Sequence, residues 1–194
     1  NLTDHLEKKD KKNKIRQRLL KIRAKKVILA TGALERPLVF NNNDRPGIML
    51  SSAVKKYSDF YGVACGVKHI FSTNNDTAYE SALSLHNKGI KVDAIIDIRE
   101  NSDAKIIKKI NDAGIKIYWS HTIVDTSGYK RLSDVSIMKL SNDGMSVTGS
   151  KTSISCDCLG IAGGWTPAVH LYTQSGNKLT FDEDRNIFVP KADN

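Results

Sequence analysis

Three observations predict an α/β fold built on a parallel sheet. The stretch from Val67 to about Ile123 alternates short apolar runs with segments of helical spacing, in the order βαβαβ. Two further apolar runs, Val27-Ile28-Leu29-Ala30 and Cys158-Leu159-Gly160-Ile161-Ala162, end in small residues, Thr31-Gly32 and Gly163-Gly164. Unbroken apolar runs suit strands buried on both faces of a parallel sheet, and ligands of such sheets sit at the carboxyl ends of the strands. Finally, two alternating segments, Leu132 to Leu140 and Met145 to Ile154, flank Asn142-Asp143-Gly144, which predicts an antiparallel hairpin or meander.

The elements follow in order. Ile15, Leu19, Leu20 and Ile22 place strand material over 15–23, ahead of the buried strand at 27–30. Gly32 lets the chain turn sharply and come close to a ligand, so Ala30, Thr31 and Gly32 mark the edge of a cofactor site. Asn41 to Gly47 is a turn or linker. Ser51 or Ser52 can cap a helix that ends at Gly62, with Val54, Tyr57 and Tyr61 on one face. Val67 to Ser72 is a strand and Thr73 to Asp76 a loop. Thr77-Ala78-Tyr79-Glu80 has capping-box spacing, with Ala78, Ala82 and Leu85 facing inward and Gly89 stopping the helix. Val92 to Ile98 is the next strand. Ser102 precedes a helix carrying Ile106, Ile107 and Ile110, stopped by Gly114, and Ile115 to Trp119 is a third strand. Right-handed crossovers make this a Rossmann-like parallel sheet with helices on its faces.

Composition narrows the function classes. A chain of 194 residues with 40% apolar and 26% charged residues is an ordinary globular sequence, with room for one large domain or two small ones. It has no signal peptide, no apolar run able to span a bilayer and no initiating Met, so it reads as a piece of something longer. The net charge of +9 is concentrated in residues 1–26, where eleven Lys and Arg face Asp4, Glu7 and Asp10. Such an arm could bind nucleic acid, but it holds no aromatic residue to stack bases, which favours a solvated surface. Cys65, Cys156 and Cys158 do not make a disulfide framework. The spacing Cys156-Asp157-Cys158 puts two thiols on one face of an extended strand, without the companions of a zinc site or the spacer of a redox pair. Thiols of this kind fit a reducing, cytoplasmic compartment. The five His residues are scattered, His170 reads as exposed, and no metal site and no catalytic acid, base or nucleophile is assigned.

A dinucleotide loop places Gly-x-Gly-x-x-Gly/Ala between the first strand and helix. The equivalent register here is Thr73 to Ala78, and only Ala78 fits. Asn75 puts a side chain where pyrophosphate would approach, and Asp76 adds negative charge. Asp97 stands where an acid would hold a ribose hydroxyl, with Arg99 nearby. With the loop degraded, both read as solvated surface charges. Trp165 either covers a planar ring or closes the core.

Two strands ending in Ala-Thr-Gly and Ala-Gly-Gly, bracketing a βαβαβ unit and a meander, resemble flavoproteins with two nested dinucleotide-binding domains, the pyridine nucleotide-disulfide oxidoreductase superfamily. The resemblance implies three segments: 1–62 from a partial first dinucleotide-binding domain, 63–155 as an inserted Rossmann-like domain with its meander, and 156–194 returning to the first. The strings Lys25 to Pro37, Leu38 to Phe40, Asn42 to Leu50, Phe71 to Asp76 and Gly163 to Leu171 are similar to the alpha subunits of heterotetrameric sarcosine oxidases. The Asn74-Asn75-Asp76 loop, a defect against the wider superfamily, is a feature of that family.

That resemblance implies an oxidoreductase that oxidatively demethylates sarcosine, a CH–NH donor, with oxygen as acceptor. Sarcosine and FAD would lie on the beta subunit, FMN at the alpha–beta interface, and NAD in the first dinucleotide domain of alpha. Ala30, Thr31, Gly32, Gly163, Gly164 and Trp165 would line that dinucleotide. Its phosphate loop is expected upstream and a folate-binding domain downstream, with beta and smaller subunits as partners, so this piece alone is expected to be catalytically silent. The alternatives are a subunit of an opine- or hydroxyproline-type dehydrogenase, or a non-enzymatic module docking an acidic partner through residues 8–26.

Overall fold

The computed structural model describes residues 19–103 and 105–191, and the chain divides into two units at Ala30/Thr31. In the first unit, residues 19–30 form neither helix nor strand and stand exposed, Ile28 at 92%. The strands predicted over 15–23 and 27–30 are therefore corrected for the described residues. Residues 1–18, with most of the basic arm, lie outside them. An apolar run becomes a buried strand only when neighbouring strands satisfy its backbone, and no described strand pairs with this one.

The second unit begins with β1 (Ala33–Glu35), β2 (Ile48–Leu50), α1 (Ser51–Tyr61), β3 (His69–Thr73), α2 (Thr77–His86), β4 (Val92–Asp97), α3 (Lys105–Asp112) and β5 (Lys116–Trp119). A meander follows in β6 (His121–Ser127), β7 (Asp134–Leu140) and β8 (Val147–Ser155). The chain then runs through β9 (Cys158–Ala162), β10 (Trp165–Pro167), α4 (His170–Gln174), β11 (Leu179–Asp182) and β12 (Ile187–Pro190). Strands β2, β9, β3, β4 and β5 form a parallel sheet in that order. Two of its strands, β2 and β9, come from outside segment 63–155, and β9 lies next to β3.

Two hydrophobic layers explain why the central strands read as unbroken apolar runs. Successive side chains of a strand point to opposite faces. On one face Phe71, Ile95, Cys158 and Ala162 meet Val54 of α1, Ala78, Tyr79, Ala82 and Leu85 of α2, and Ile110 of α3. On the other, Ile70, Ile96, Leu159 and Ile161 meet Ile123, Val135 and Ile137 of the meander, with Leu132 and Cys156. Within the sheet, a Cβ on Gly160 would lie 2.5 Å from the Phe71 ring, so the ring packs over the space that a side chain at 160 would take.

Four local expectations are corrected. α1 buries Ser51, Val54 and Ser58, whereas Tyr57 and Tyr61 are exposed and pack on each other. α2 has no capping box. Asp76 precedes the helix, and the Thr77 hydroxyl donates to Asn75 Oδ1 at 2.5 Å. Cys156 and Cys158 belong to opposite layers, because the chain bends at Asp157 instead of running extended. The meander has three strands, the missed one being β6, where Ser120 at φ 54° turns the chain directly out of β5. Among the described residues no helix is long and apolar enough to cross a membrane.

Candidate functional site

Ligands of parallel sheets bind at the carboxyl ends of the strands, and here β3 and β4 end beside the start of α2. The loop between β3 and α2 is tied to itself and to β9. Asn75 N–H donates to Thr73 Oγ1 at 3.0 Å, and Asn75 Nδ2 donates to the Ala162 carbonyl at 3.1 Å. Asn75 Oδ1 in turn accepts the Thr77 N–H at 3.0 Å. That amide belongs to the first turn of α2, where a bound phosphate would take its hydrogen bonds. The Asn75 side chain thus takes a place that a pyrophosphate oxygen would fill.

The acid at the end of β4 is no surface charge, which corrects the sequence expectation. Asp97 is 0% exposed. It accepts Tyr79 Oη–H at 2.6 Å, Arg99 N–H at 2.9 Å, and the Arg99 guanidinium through Nε at 3.1 Å and Nη2 at 2.7 Å. Arg99 Nη2 also donates to Asp76 Oδ1 at 2.7 Å, and the Ser102 hydroxyl donates to the same oxygen at 3.1 Å. Burial, then the hydrogen bond to Asp97, pushes the Tyr79 hydroxyl well above its ordinary pKa, keeping it a donor. The Asp97 oxygens that would receive ribose hydroxyls already hold donors from Tyr79 and Arg99, and the helix start faces Asp76. These residues do not fit a dinucleotide.

The second candidate region lies where β1 and β10 pair antiparallel, Ala33 opposite Pro167 and Glu35 opposite Trp165. Thr31 Oγ1–H donates to the Ala168 carbonyl at 2.7 Å, and Ala168 N–H donates to the Gly32 carbonyl at 3.0 Å. Gly32 sits at φ +70°, with nothing within 4 Å of where a Cβ would stand. Gly163 and Gly164 lie against the other end of β1. Gly163 N–H donates to the Arg36 carbonyl at 2.7 Å, and Arg36 N–H donates to the Gly164 carbonyl at 2.8 Å. A Cβ on Gly163 would meet the Pro37 carbonyl oxygen at 2.8 Å, and Gly164 at φ +96° lies against the Arg36 guanidinium. Thr31, Gly32, Gly163, Gly164 and Trp165 are therefore brought into one two-stranded link. Ala30 is exposed in the first unit. The Gly163-Gly164 pair is explained by this close backbone crossing, whereas no such crossing constrains Gly32, whose positive φ alone favours glycine.

Glu35 is the residue that sequence analysis missed. Its side chain reaches α1, with Oε2 accepting the Ser52 N–H at 2.8 Å. A lone acid in Ala-Leu-Glu-Arg-Pro carries no local sign of burial, and only the pairing of β1 with β10 next to α1 reveals it. At the amino end of the sheet, burial lowers the pKa of His69, whose Nδ1 faces the Lys91 carbonyl at 3.1 Å. Burial likewise pushes the Cys156 and Cys158 thiols up to about 12, so neither is a poised nucleophile. Among the described residues no group of three His, Cys, Asp or Glu is placed to hold a metal.

Fold and link together define a Rossmann-type α/β unit. The thioredoxin reductase of T. acidophilum superposes with a TM-score of 0.60 at 17% identity, over 81% of this chain and 54% of that one. L-proline dehydrogenase from P. horikoshii superposes at 0.54 and 22% identity, over 88% of this chain and 27% of that one. At these identities the likeness is one of fold. In sequence, the chain is similar to sarcosine oxidase subunit alpha. It is 41% identical to that of Corynebacterium sp. (strain P-1) over 179 residues, 91% of this chain, and 36% identical to that of strain U-96 over 188 residues. The subunit of Rhizobium meliloti (strain 1021) is 35% identical over 173 residues. The resemblance read from the sequence strings thus holds along nearly the whole chain. The chain spans less than a fifth of the length of these curated relatives, between 16% and 19%. No family model matches it.

Proposed function

We propose that these residues are part of the alpha subunit of an oxidase that demethylates sarcosine in the cytoplasm, working with beta and smaller subunits. The observation that carries the reading is the 41% identity over 91% of the chain. In this reading the two candidate regions differ in task. The crevice at the ends of β3 and β4 is a structural joint that binds no nucleotide, because Asn75, Asp97 and Arg99 occupy each other. NAD is held on the side of the β1–β10 link, where Thr31 and Gly32, preceded by Ala30, and Gly163, Gly164 and Trp165 form the edge of a first dinucleotide-binding domain. A bound dinucleotide supplies hydride-accepting chemistry. The residues here bind and orient: Gly32 gives backbone access, and Thr31 holds the turn against Ala168. The 194 residues contain no Gly-x-Gly-x-x-Gly loop, so the pyrophosphate contacts come from the rest of the subunit, as do the flavins of the complex.

The test uses the intact subunit that contains this segment, assembled with its partner subunits. Sarcosine-dependent oxygen consumption is expected, with NAD released on denaturation, and Gly32→Val lowers the NAD content. Turnover of L-proline or an opine in place of sarcosine overturns the substrate reading in favour of the related dehydrogenases. NAD content unchanged by Gly32→Val overturns the placement of the dinucleotide. The isolated 194-residue chain is expected to be inactive, and sarcosine oxidation by it refutes the assignment of the amine site to another subunit.

A further inference from the structure

We propose that the groove between the loop joining β6 to β7 and the start of β3 docks an acidic polypeptide segment of a partner subunit. The groove measures about 530 Å³, and its walls include Val67, Lys68, Tyr129, Lys130, Arg131 and Asp157. It lies at the amino ends of β3 and β9. The β1–β10 link, where the first dinucleotide-binding domain is placed, stands at the opposite, carboxyl end of the same sheet. The groove is therefore left to another subunit, and the proposal rests on the reading that the chain is part of a multi-subunit oxidase.

The loop over 128–133 is fixed at its base and exposed at its tip. Arg45 Nη1 donates to the Gly128 carbonyl. Leu132 N–H donates to the Pro46 carbonyl at 2.8 Å, and Ser133 N–H donates to the Ser127 carbonyl at 2.9 Å. The Leu132 side chain is buried with Ile123, Val135 and Ile137. A Cβ at Gly128, where φ is +140°, would collide with the Arg131 carbonyl oxygen, so the turn needs glycine. Between these anchors Tyr129 stands 93% exposed, and Val67 on the other wall is 75% exposed. A ring held out on a fixed loop loses little freedom on binding, and Tyr and Arg are enriched among residues that carry binding energy.

Charge decides what kind of segment fits. Asp157 is satisfied by the chain itself: its oxygens accept the Val67 N–H at 2.8 and 3.0 Å and the Lys68 N–H at 2.8 Å. Arg131 reaches Asp157 Oδ2 only at 3.7 Å and stays more than half exposed. Among the described residues, the exposed Lys68 and Lys130 have no ion-pair partner. Three cations thus surround two exposed apolar side chains, Val67 and Tyr129. The complement is a segment that carries carboxylates on either side of an apolar residue. Nucleic acid fits less well, because Asp157 lines the groove, and three cations with one aromatic ring make no track for successive phosphates and bases.

The test uses the intact subunit assembled with its partner subunits. A carbodiimide joins an amine to a carboxylate only when the two are in contact. It is applied to the complex, and the linked peptides are read by mass spectrometry. Lys68 or Lys130 joined to an Asp or Glu of a partner subunit is expected. Tyr129→Ala is expected to weaken subunit association about tenfold or more, read from dissociation on dilution. Lys130→Glu is expected to weaken it as well and to flatten its dependence on salt. Both side chains are exposed, so the fold survives either change, and an unaltered urea midpoint checks this. A subunit that purifies without partners overturns the multi-subunit reading and this proposal with it. In a complex that does assemble, links only to carboxylates of the same subunit, or no link at all, overturn the docking site alone. So does an association that both variants leave unchanged. Binding of a single-stranded oligonucleotide that Lys130→Glu abolishes overturns it in favour of nucleic acid.

Discussion

Two places near the carboxyl ends of the same sheet treat buried carboxylates in opposite ways. At the end of β4, both Asp97 oxygens accept hydrogen bonds from Tyr79 and Arg99, and Arg99 is held on its far side by Asp76. Beside α1, Glu35 commits one oxygen to Ser52 and leaves the other bare. The first arrangement is closed, with the partners a ligand would need already supplied by the chain. The second is open. A buried polar group satisfied by its own fold supports the architecture, and one left unsatisfied is an uncompensated cost to it. This distinction separates the satisfied network at Asp97 from the half-satisfied carboxylate at Glu35. Fold alone would have pointed to the crevice.

The largest effect expected from breaking this contrast comes from Asp97→Ala. It removes a fully buried partner of Arg99 and the acceptor of Tyr79, and should cost about 3 kcal/mol or more in urea unfolding. A loss below about 1 kcal/mol would mean that the closed network carries little of the fold.

A pH titration of stability sharpens the comparison, because neither region contains a histidine. Burial holds the folded His69 below its ordinary value of 6.5. As pH falls through about 6.5, the unfolded chain takes up the proton before the folded one does, so stability present at pH 7 is lost toward pH 5. Each pKa unit of depression corresponds to about 1.4 kcal/mol. In His69→Asn, which can still donate to the Lys91 carbonyl, the decline between pH 7 and pH 5 should flatten. If it persists unchanged, the titrating group lies elsewhere. The smallest effect belongs to Asp76→Asn. The Asp76 side chain is about half exposed and Arg99 keeps Asp97, so the loss should stay under about 1 kcal/mol in the same unfolding measurement. A larger loss would show that Arg99 depends on its outer partner as much as on its inner one.

The legible and illegible parts of the molecule divide by the range of the interactions. Helix α2 could be read because Ala78, Ala82 and Leu85 recur at helical spacing. Strands β3, β4 and β9 could be read because both of their faces are buried, which makes the sequence apolar at every step. The same rule misled at 27–30, where an equally apolar run has no described partner strand and stands exposed. The face of α1 was misassigned because tyrosines and serines are ambiguous without their neighbours. Ser58 is buried against the sheet side, and Tyr57 stays outside.

By itself, the sequence determined the periodicities, the order of helix and strand, the turn residues and the absence of a glycine phosphate loop, all of which are encoded within a few residues of one another. It also carried the strings that match sarcosine oxidase subunit alpha. Only the tertiary structure decided that β9 lies beside β3, that Gly163 crosses the backbone at Arg36, that Asp97 is buried under Tyr79 and Arg99, and that Glu35 faces α1 with an oxygen to spare. The reason is physical. Burial and hydrogen-bond satisfaction are set by which distant segments share a space, and Glu35 and Ser52, or Gly163 and Arg36, meet only after the sheet has brought them together.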